Sequence, residues 1–253
     1  MPAVHRQIHA ALDIPWAPGV SCQRPGAKHV SQSPLIIVFI VAVVAVIVMA
    51  VLSSAKRRKE LMAWANSRRL TFAPGKDHNM DSRFGAFKCL HCGDSRYAYN
   101  VITGDWKGLP FVGFDYHYET GSGKNRSTHT FSAVVLGSPV PLKPLYIRRE
   151  GFFDKITEFF GLDDIDFESA EFSRKFYVKA QDKRWAYDVI HQRMMEYLLL
   201  APEFTLQFDF GAVIAWRDQL FGVDKFESAA ELIRGMYDRL PDYVVKQQTQ
   251  GTR

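Results

Sequence analysis

The sequence predicts an α+β protein in which a single N-terminal transmembrane helix precedes an antiparallel-sheet domain with packed helices. Three observations lead to this prediction. Residues 35–52 are drawn only from Leu, Ile, Val, Phe, Ala and Met. Segments between residues 70 and 148 alternate with period two and are rich in aromatic and β-branched side chains, which is typical of strands. The last third of the chain contains apolar stripes at helical spacing.

The apolar run has the length that a bilayer requires. Eighteen residues at about 1.5 Å each span roughly 27 Å, close to the hydrocarbon thickness of about 30 Å. A helix satisfies its own backbone hydrogen bonds, so it can cross lipid. The alternatives are a buried core helix and a cleaved signal peptide. Against the signal peptide, the run is longer than the usual apolar region of such a peptide and ends in a basic cluster.

The basic cluster predicts the orientation of the chain. Residues 1–59 contain seven Lys or Arg and one acidic residue, whereas residues 60–253 contain 25 basic and 26 acidic residues. The excess of basic residues behind the net charge of +5 therefore lies on either side of the apolar run. Because the rest of the chain is nearly neutral, this charge does not indicate nucleic-acid binding. Four consecutive positions determine the expected topology, with the C-terminal domain cytoplasmic: Lys56, Arg57, Arg58 and Lys59. We expect this collar to lie among anionic headgroups of the lipid bilayer, its first predicted partner.

The chain divides into five predicted segments. In order these are a flexible extracytoplasmic tail at 1–33, the transmembrane helix at 34–54, a juxtamembrane helix at 55–69, the cytoplasmic α+β domain at 70–245 and a disordered tail at 246–253. Leu61, Trp64 and Ala65 form one stripe of the juxtamembrane helix, facing either headgroups or the domain.

Within the domain, alternation and turn residues predict the individual elements. Strands are expected at 97–101, 112–118, 130–136 and 172–180, with a hairpin formed by 204–208 and 212–216. Helices are expected between Gly151 and Gly161, from an Asp182 cap to about Ala201, and from an Asp224 cap to Pro241.

Two clusters could carry chemistry. Asp115, His117 and Glu119 alternate on one strand, so they could share a face and bind a metal ion or do acid–base work. The alternative is that they form the solvent-facing side of a half-buried sheet. Cys89 and Cys92 have metal-type spacing, but they supply only two of four zinc ligands, and a redox pair or reduced structural thiols are the alternatives. Residues 121–125 fail the phosphate-binding loop pattern at two positions, and no cofactor is predicted.

One region resembles a family known in bacteria. Its motifs are Phe167-Glu168-Ser169, Phe172, Phe176-Tyr177-Val178, Asp182, Trp185-Ala186-Tyr187 and Met194-Met195, together with residues 116–126. The chain is similar here to single-pass membrane-anchored bacterial proteins of unknown function that carry an uncharacterised α+β domain. The resemblance implies no catalytic residues.

These observations favour a membrane-tethered interaction or scaffold module, with an unidentified membrane or cytoplasmic protein as a second partner, over an enzyme. A membrane-anchored metal-dependent hydrolase using Asp115, His117 and Glu119 is the alternative function. A redox sensor using Cys89 and Cys92 is a third hypothesis.

Overall fold

The computed structural model describes residues 33–151 and 163–250. The predicted flexible tail and the phenylalanine-rich helix expected at 152–160 lie outside these ranges. The chain divides into two compact units, the first ending at Met49 and the second beginning at Ala50. The described part of the first unit is wholly helical.

The first helix, α1 (Ser33–Ser67), continues without a break from the apolar run into the juxtamembrane segment. Its large apolar side chains between Ile36 and Leu52 are exposed. Among the described residues it is the one helix long and apolar enough to cross a membrane. The prediction that the apolar helix extends through the basic collar is therefore confirmed.

The second unit is built on a mixed-length sheet of nine described strands. They are β1 (Thr71–Ala73), β2 (Asp94–Trp106), β3 (Leu109–Thr120), β4 (Ser127–Gly137), β5 (Leu145–Arg149), β6 (Asp163–Asp164), β7 (Phe176–Ala180), β8 (Thr205–Asp209) and β9 (Ala212–Arg217). Their spatial order is β1-β2-β3-β4-β9-β8-β5-β7-β6. Every described pairing is antiparallel, which confirms the predicted α+β class.

Short and medium helices surround this sheet. They are α2 (Met80–Arg83), α3 (Ala170–Lys175), α4 (Lys183–Val189), α5 (Gln192–Leu200), α6 (Val223–Tyr237) and α7 (Asp242–Gln250), with 3₁₀ turns at Lys88–His91 and Gly123–Asn125. Both faces of the sheet are covered. One core contains the end of α1 and helices α3 to α7, and the other contains Met80, Phe87 and Leu90.

The end of α1 belongs to the core of the sheet domain. Leu61 and Ala65 are almost completely buried there. The Trp64 ring lies 6.1 Å from Trp106 and 5.9 Å from Phe226, measured between ring centroids. Of the two positions expected for the Leu61–Trp64–Ala65 stripe, the structure shows the one against the domain.

Glycine at position 113 makes room for α6. A side chain there would begin with a Cβ atom 3.0 Å from the Phe226 ring, closer than ordinary carbon contacts. The missing side chain lets Phe226 approach β3, and Phe226 in turn supports Trp64. The sheet, α6 and the end of α1 therefore pack as one group.

Two predicted elements in the C-terminal half are wrong in their boundaries. Residues 172–180 were expected to form one strand, but the first part is helical because the Ser169 hydroxyl accepts a hydrogen bond from the Phe172 amide and caps α3. The helix expected from Asp182 to Ala201 is two helices, α4 and α5, because His191 has extended backbone angles. Asp182 caps α4 as predicted.

The last helices differ from expectation in smaller ways. Gly222, two residues earlier than expected, occupies the N-cap position of α6 in place of Asp224. The apolar stripe of α6 is buried as predicted, and the hairpin predicted from 204–208 and 212–216 is formed by β8 and β9. Helix α7 extends over residues 246–250, part of the predicted tail, with Val244 buried on its inner face.

The packing of α1 predicts that the soluble domain needs residues before position 70. A fragment 55–253 retains Arg57, Leu61 and Trp64, whereas a fragment 70–253 loses them and exposes the rings that Trp64 covers. Removing one buried Trp side chain typically costs about 3–5 kcal/mol, so we expect the shorter fragment to unfold at clearly lower denaturant concentration. Chemical denaturation of both fragments, followed by circular dichroism, makes the comparison. Equal midpoints would contradict this account of the core.

Candidate functional site

A buried ion pair joins the juxtamembrane part of α1 to the middle of the sheet. The Arg57 guanidinium donates from Nη2 to Asp115 Oδ1 at 2.6 Å and from Nε to Asp115 Oδ2 at 2.9 Å. This is the bidentate geometry that gives arginine–carboxylate pairs their strength. The Asp115 side chain is completely buried, and that of Arg57 is 21% exposed.

Two further side chains complete the environment of the carboxylate. Asn100 donates from Nδ2 to Asp115 Oδ2 at 2.9 Å, and the Ser132 hydroxyl donates to Asp115 Oδ1 at 2.5 Å. These partners come from strands β2 and β4, on either side of β3. Asp115 therefore receives four hydrogen bonds, which offset the cost of burying its charge.

A bulge in β2 brings Asn100 to this position. The pairing of β2 with β3 shifts between Tyr99 and Ile102, and Asn100 has a φ of 51°. Asparagine adopts such left-handed backbone angles more readily than most residues. The bulge re-aims the amide towards the carboxylate, as bulges commonly do near special sites.

The loop after β9 closes the other side of the ion pair. Arg57 Nη1 donates to the Phe221 carbonyl at 2.7 Å, and the Phe221 amide donates to Ser132 Oγ at 2.9 Å. The network, which we call the Arg57 junction, thus comprises Arg57, Asn100, Asp115, Ser132 and the Phe221 backbone. It connects α1 with β2, β3, β4 and the loop that leads into α6.

The junction changes the titration of a neighbouring tyrosine. Burial, together with the negative charge of Asp115, raises the pKa of Tyr99 to about 12, while the Arg57 charge opposes this shift. Tyr99 lies opposite Asp115 in the β2–β3 register. The hydroxyl therefore stays protonated throughout the physiological range.

The predicted trio of Asp115, His117 and Glu119 is separated by its partners. The His117 ring stacks on Tyr97 at 4.4 Å, and its Nε2 lies 3.8 Å from Glu119 Oε1. Glu119 also pairs with Arg126 at 3.2 Å, while Asp115 is engaged by Arg57. Burial lowers the pKa of His117, although Glu119 raises it. The expectation of a solvent-facing strand is wrong at Asp115, because α1 covers it.

The other predicted residues lie elsewhere. Cys89 is buried in the 3₁₀ turn Lys88–His91, and Cys92 follows it half-buried, its Sγ 3.8 Å from the Lys88 carbonyl. Within residues 33–151 and 163–250, no group of three or more His, Cys, Asp or Glu side chains is arranged to hold a metal ion.

The four collar residues have two different environments. Lys56, Arg58 and Lys59 are exposed, as a contact with headgroups requires. Arg57 instead points into the domain. The signal for this was present in the sequence, since Arg57, Leu61, Trp64 and Arg68 share the i, i+4, i+7, i+11 spacing of one helix face. Asn100, Ser132 and Phe221 carried no comparable signal.

A second feature is an open groove between α5, the end of α6 and α7. Its volume is about 920 Å³, and its lining combines charged and apolar residues. The Arg239 guanidinium lies 3.9 Å from the centre of the Tyr197 ring, and the Arg239 carbonyl lies 3.0 Å from His191 Nε2. Leu200 on its rim is 89% exposed.

Comparison with known proteins gives one informative match. No protein-family model matches the chain, and no curated protein matches it. The fold is similar to that of the mycobacterial trehalose monomycolate transport factor A, TtfA, with a TM-score of 0.56. The match covers 72% of this chain and 92% of that one, at 13% sequence identity. At this identity the likeness concerns the fold.

The Arg57 junction predicts that the stability of the domain depends on one arginine of the collar far more than on its neighbour. Replacing Arg57 by Met leaves the buried Asp115 charge unpaired, which we expect to cost about 3–5 kcal/mol of unfolding free energy. Arg58→Met is the matched control, with an expected effect within about 0.5 kcal/mol. The double variant Arg57→Met/Asp115→Leu should recover most of the loss. Denaturant unfolding of fragment 55–253 measures all three, and equal effects at positions 57 and 58 would contradict the role of the junction.

The raised pKa of Tyr99 predicts that the free energy of unfolding decreases at alkaline pH. Its folded pKa lies above the ordinary value of 10, so its contribution to stability is fully present below pH 10 and is lost as pH rises towards 12. Phenolate absorbance should show a tyrosine ionising near pH 12 that Tyr99→Phe removes. An unchanged titration curve in that variant would assign the step to another residue.

Proposed function

We propose that this chain is a single-pass membrane protein whose cytoplasmic domain acts without catalysis, as a tethered factor that assists transport of a lipid-class molecule at the cell membrane. The observation that carries the proposal is the continuity of α1, which runs from the apolar segment into the domain core and is held there by the Arg57 junction. A domain attached in this way stays at the membrane, close to its partners there.

The site geometry supports a structural function over a catalytic one. Asp115, a charged group that is completely buried, has its acceptor positions filled by Arg57, Asn100 and Ser132. A general base or metal ligand needs an accessible oxygen. His117 and Glu119 remain close to each other, but they engage Tyr97 and Arg126.

The fold likeness supports the transport part of the proposal. TtfA is named as a trehalose monomycolate transport factor, and the likeness covers 72% of this chain. The exposed basic residues Lys56, Arg58 and Lys59 support a cytoplasmic location of the domain, since basic flanks are retained on that side. Partners of such a factor would be membrane proteins of the transport apparatus, which tethering keeps at high effective concentration.

Loss of the protein should therefore affect lipid movement and leave lipid synthesis intact. In a strain that lacks the gene, we expect pulse-labelled glycolipids to be made at the normal rate but to reach the cell surface more slowly, by several-fold. The full chain should restore export, and so should His117→Gln/Glu119→Gln, because no catalytic step uses these side chains.

Control variants distinguish a tethering role of the protein from a catalytic one. Fragment 55–253, which lacks the apolar segment, should fail to restore export, and the same fragment joined to an unrelated transmembrane helix should restore it. A missing lipid species in the gene-deleted strain would point to an enzyme. Rescue by the full chain but not by His117→Gln/Glu119→Gln would contradict the non-catalytic proposal.

A further inference from the structure

Two cysteines of the sheet domain are held close together by a 3₁₀ turn. The turn spans Lys88–His91, so Cys89 lies inside it and Cys92 is the residue that follows. In a 3₁₀ helix each residue advances about 2.0 Å, and the side chains of residues i and i+3 are eclipsed. The Cα atoms of the two cysteines are therefore about 6 Å apart, within the range in which disulfides most often form.

The side chains of the two cysteines lie on the same side of this turn. Cys92 has a φ of −71°, close to the value in 3₁₀ helices, so its Cβ atom continues the direction that the turn sets. Its Sγ lies 3.8 Å from the Lys88 carbonyl oxygen and thus points back along the turn towards Cys89. Cys89 belongs to the core that contains Phe87 and Leu90, and Cys92 packs against the same core. Both thiols therefore face the sheet.

A buried tyrosine lies close to both thiols. The Tyr116 hydroxyl donates a hydrogen bond to the Leu90 carbonyl at 2.7 Å, between the two cysteines along the chain. Burial raises the pKa of Tyr116, and negative charge at Cys89 or Cys92 raises it further. Because such an electrostatic effect falls with distance, both sulfur atoms must be near this one hydroxyl group.

The turn is attached to the sheet, so the pair keeps its geometry. The Lys88 amide donates to Gln207 Oε1 at 3.0 Å, and Gln207 Nε2 donates to the Ala86 carbonyl at 2.7 Å. Gln207 is buried in β8. Together with the bond from Tyr116 in β3, these contacts hold the segment from Ala86 to Leu90 on two strands. The two thiols can thus bond to each other without a movement of the backbone.

The two thiols differ in their access to solvent. Cys89 is 2% exposed, whereas Cys92 is half-buried. Attack on a dissolved disulfide requires a thiol that the disulfide can reach. A small oxidant therefore meets Cys92 first, and Cys89 reacts with a sulfur atom that is already held beside it.

We propose that Cys89 and Cys92 form a redox-responsive site for low-molecular-weight disulfides such as oxidised glutathione. The Cys92 thiolate attacks the small disulfide, which forms a mixed disulfide and releases one small thiol. The Cys89 thiolate then attacks the Cys92 sulfur, which forms the Cys89–Cys92 bond and releases the second small thiol. The protein loses two electrons and two protons, and the small disulfide takes them up.

The site responds to the redox state around the domain. Both residues are thiols in this structure, as a reducing compartment keeps them. When small disulfides accumulate, the new bond closes the turn that covers this face of the sheet. The reaction uses neither the apolar segment nor a transport partner, so its failure would leave the proposed function unaffected.

The first test identifies the products of oxidation in the full chain, solubilised in detergent, with Cys22→Ser removing the third cysteine. The protein is incubated with excess oxidised glutathione, quenched with acid and followed by intact mass and peptide mapping. We expect the Cys89–Cys92 disulfide as the main product, and dithiothreitol should reverse it. A glutathione adduct as the main product would overturn the proposal.

Two single variants in the same background test the order of the steps. Cys89→Ser should stop at a glutathione adduct on Cys92, because no second thiol resolves it. Cys92→Ser should react at least about tenfold more slowly than Cys89→Ser, because its remaining thiol is buried. Equal rates in the two variants would contradict the assigned roles.

A second test determines whether the fold promotes the bond. The equilibrium constant for disulfide exchange with glutathione is measured for the native chain and for the same chain in strong denaturant. Because the turn holds the two thiols together only in the folded state, we expect the constant to be at least about tenfold larger there. Circular dichroism should be the same before and after oxidation. Equal constants, or loss of the native signal on oxidation, would overturn the proposal.

Discussion

The structure depends on the burial of one charge pair between residues 58 positions apart in the chain. Asp115 lies in the middle of the sheet, where an unpaired carboxylate would be strongly unfavourable. Arg57 neutralises it from the helix that carries the apolar run, and Asn100 and Ser132 satisfy the remaining acceptor positions. The helix cannot leave the sheet without exposing the rings around Trp64 and leaving this charge without its partner. The juxtamembrane end of α1 and the domain core are consequently stabilised together.

This arrangement changes the meaning of the basic collar. A run of four basic residues next to an apolar helix is ordinarily explained by topology, since such residues are retained in the cytoplasm. Here one of the four is diverted into the domain, while Lys56, Arg58 and Lys59 stay exposed. The four consecutive residues thus differ in physical character: three carry exposed charges, whose long-range interactions salt weakens, and one forms a bidentate buried bond, which salt affects little.

Elements with strong local signals could be predicted from the amino-acid sequence. The apolar run, the β2–β3–β4 meander, the 205–217 hairpin and the stripe of α6 all follow from periodicity over neighbouring residues, and the structure confirms them. Prediction from the sequence was less successful where a single residue sets a helix boundary, as Ser169 does at the start of α3 and His191 does between α4 and α5. Such local features leave the hydrophobic period almost unchanged.

The role of Asp115, in contrast, follows from contacts between distant parts of the chain. Asp115 alternates with His117 and Glu119 along the strand, and this spacing predicts that the three side chains share a face. The spacing does not indicate which element covers that face. The partner is Arg57, whose position on the apolar side of α1 could suggest burial but not identify the acceptor. Asn100 and Ser132 join through a bulge and through cross-strand register. Such contacts between distant residues arise from packing, whereas sequence periodicity reports only which side of an element is apolar.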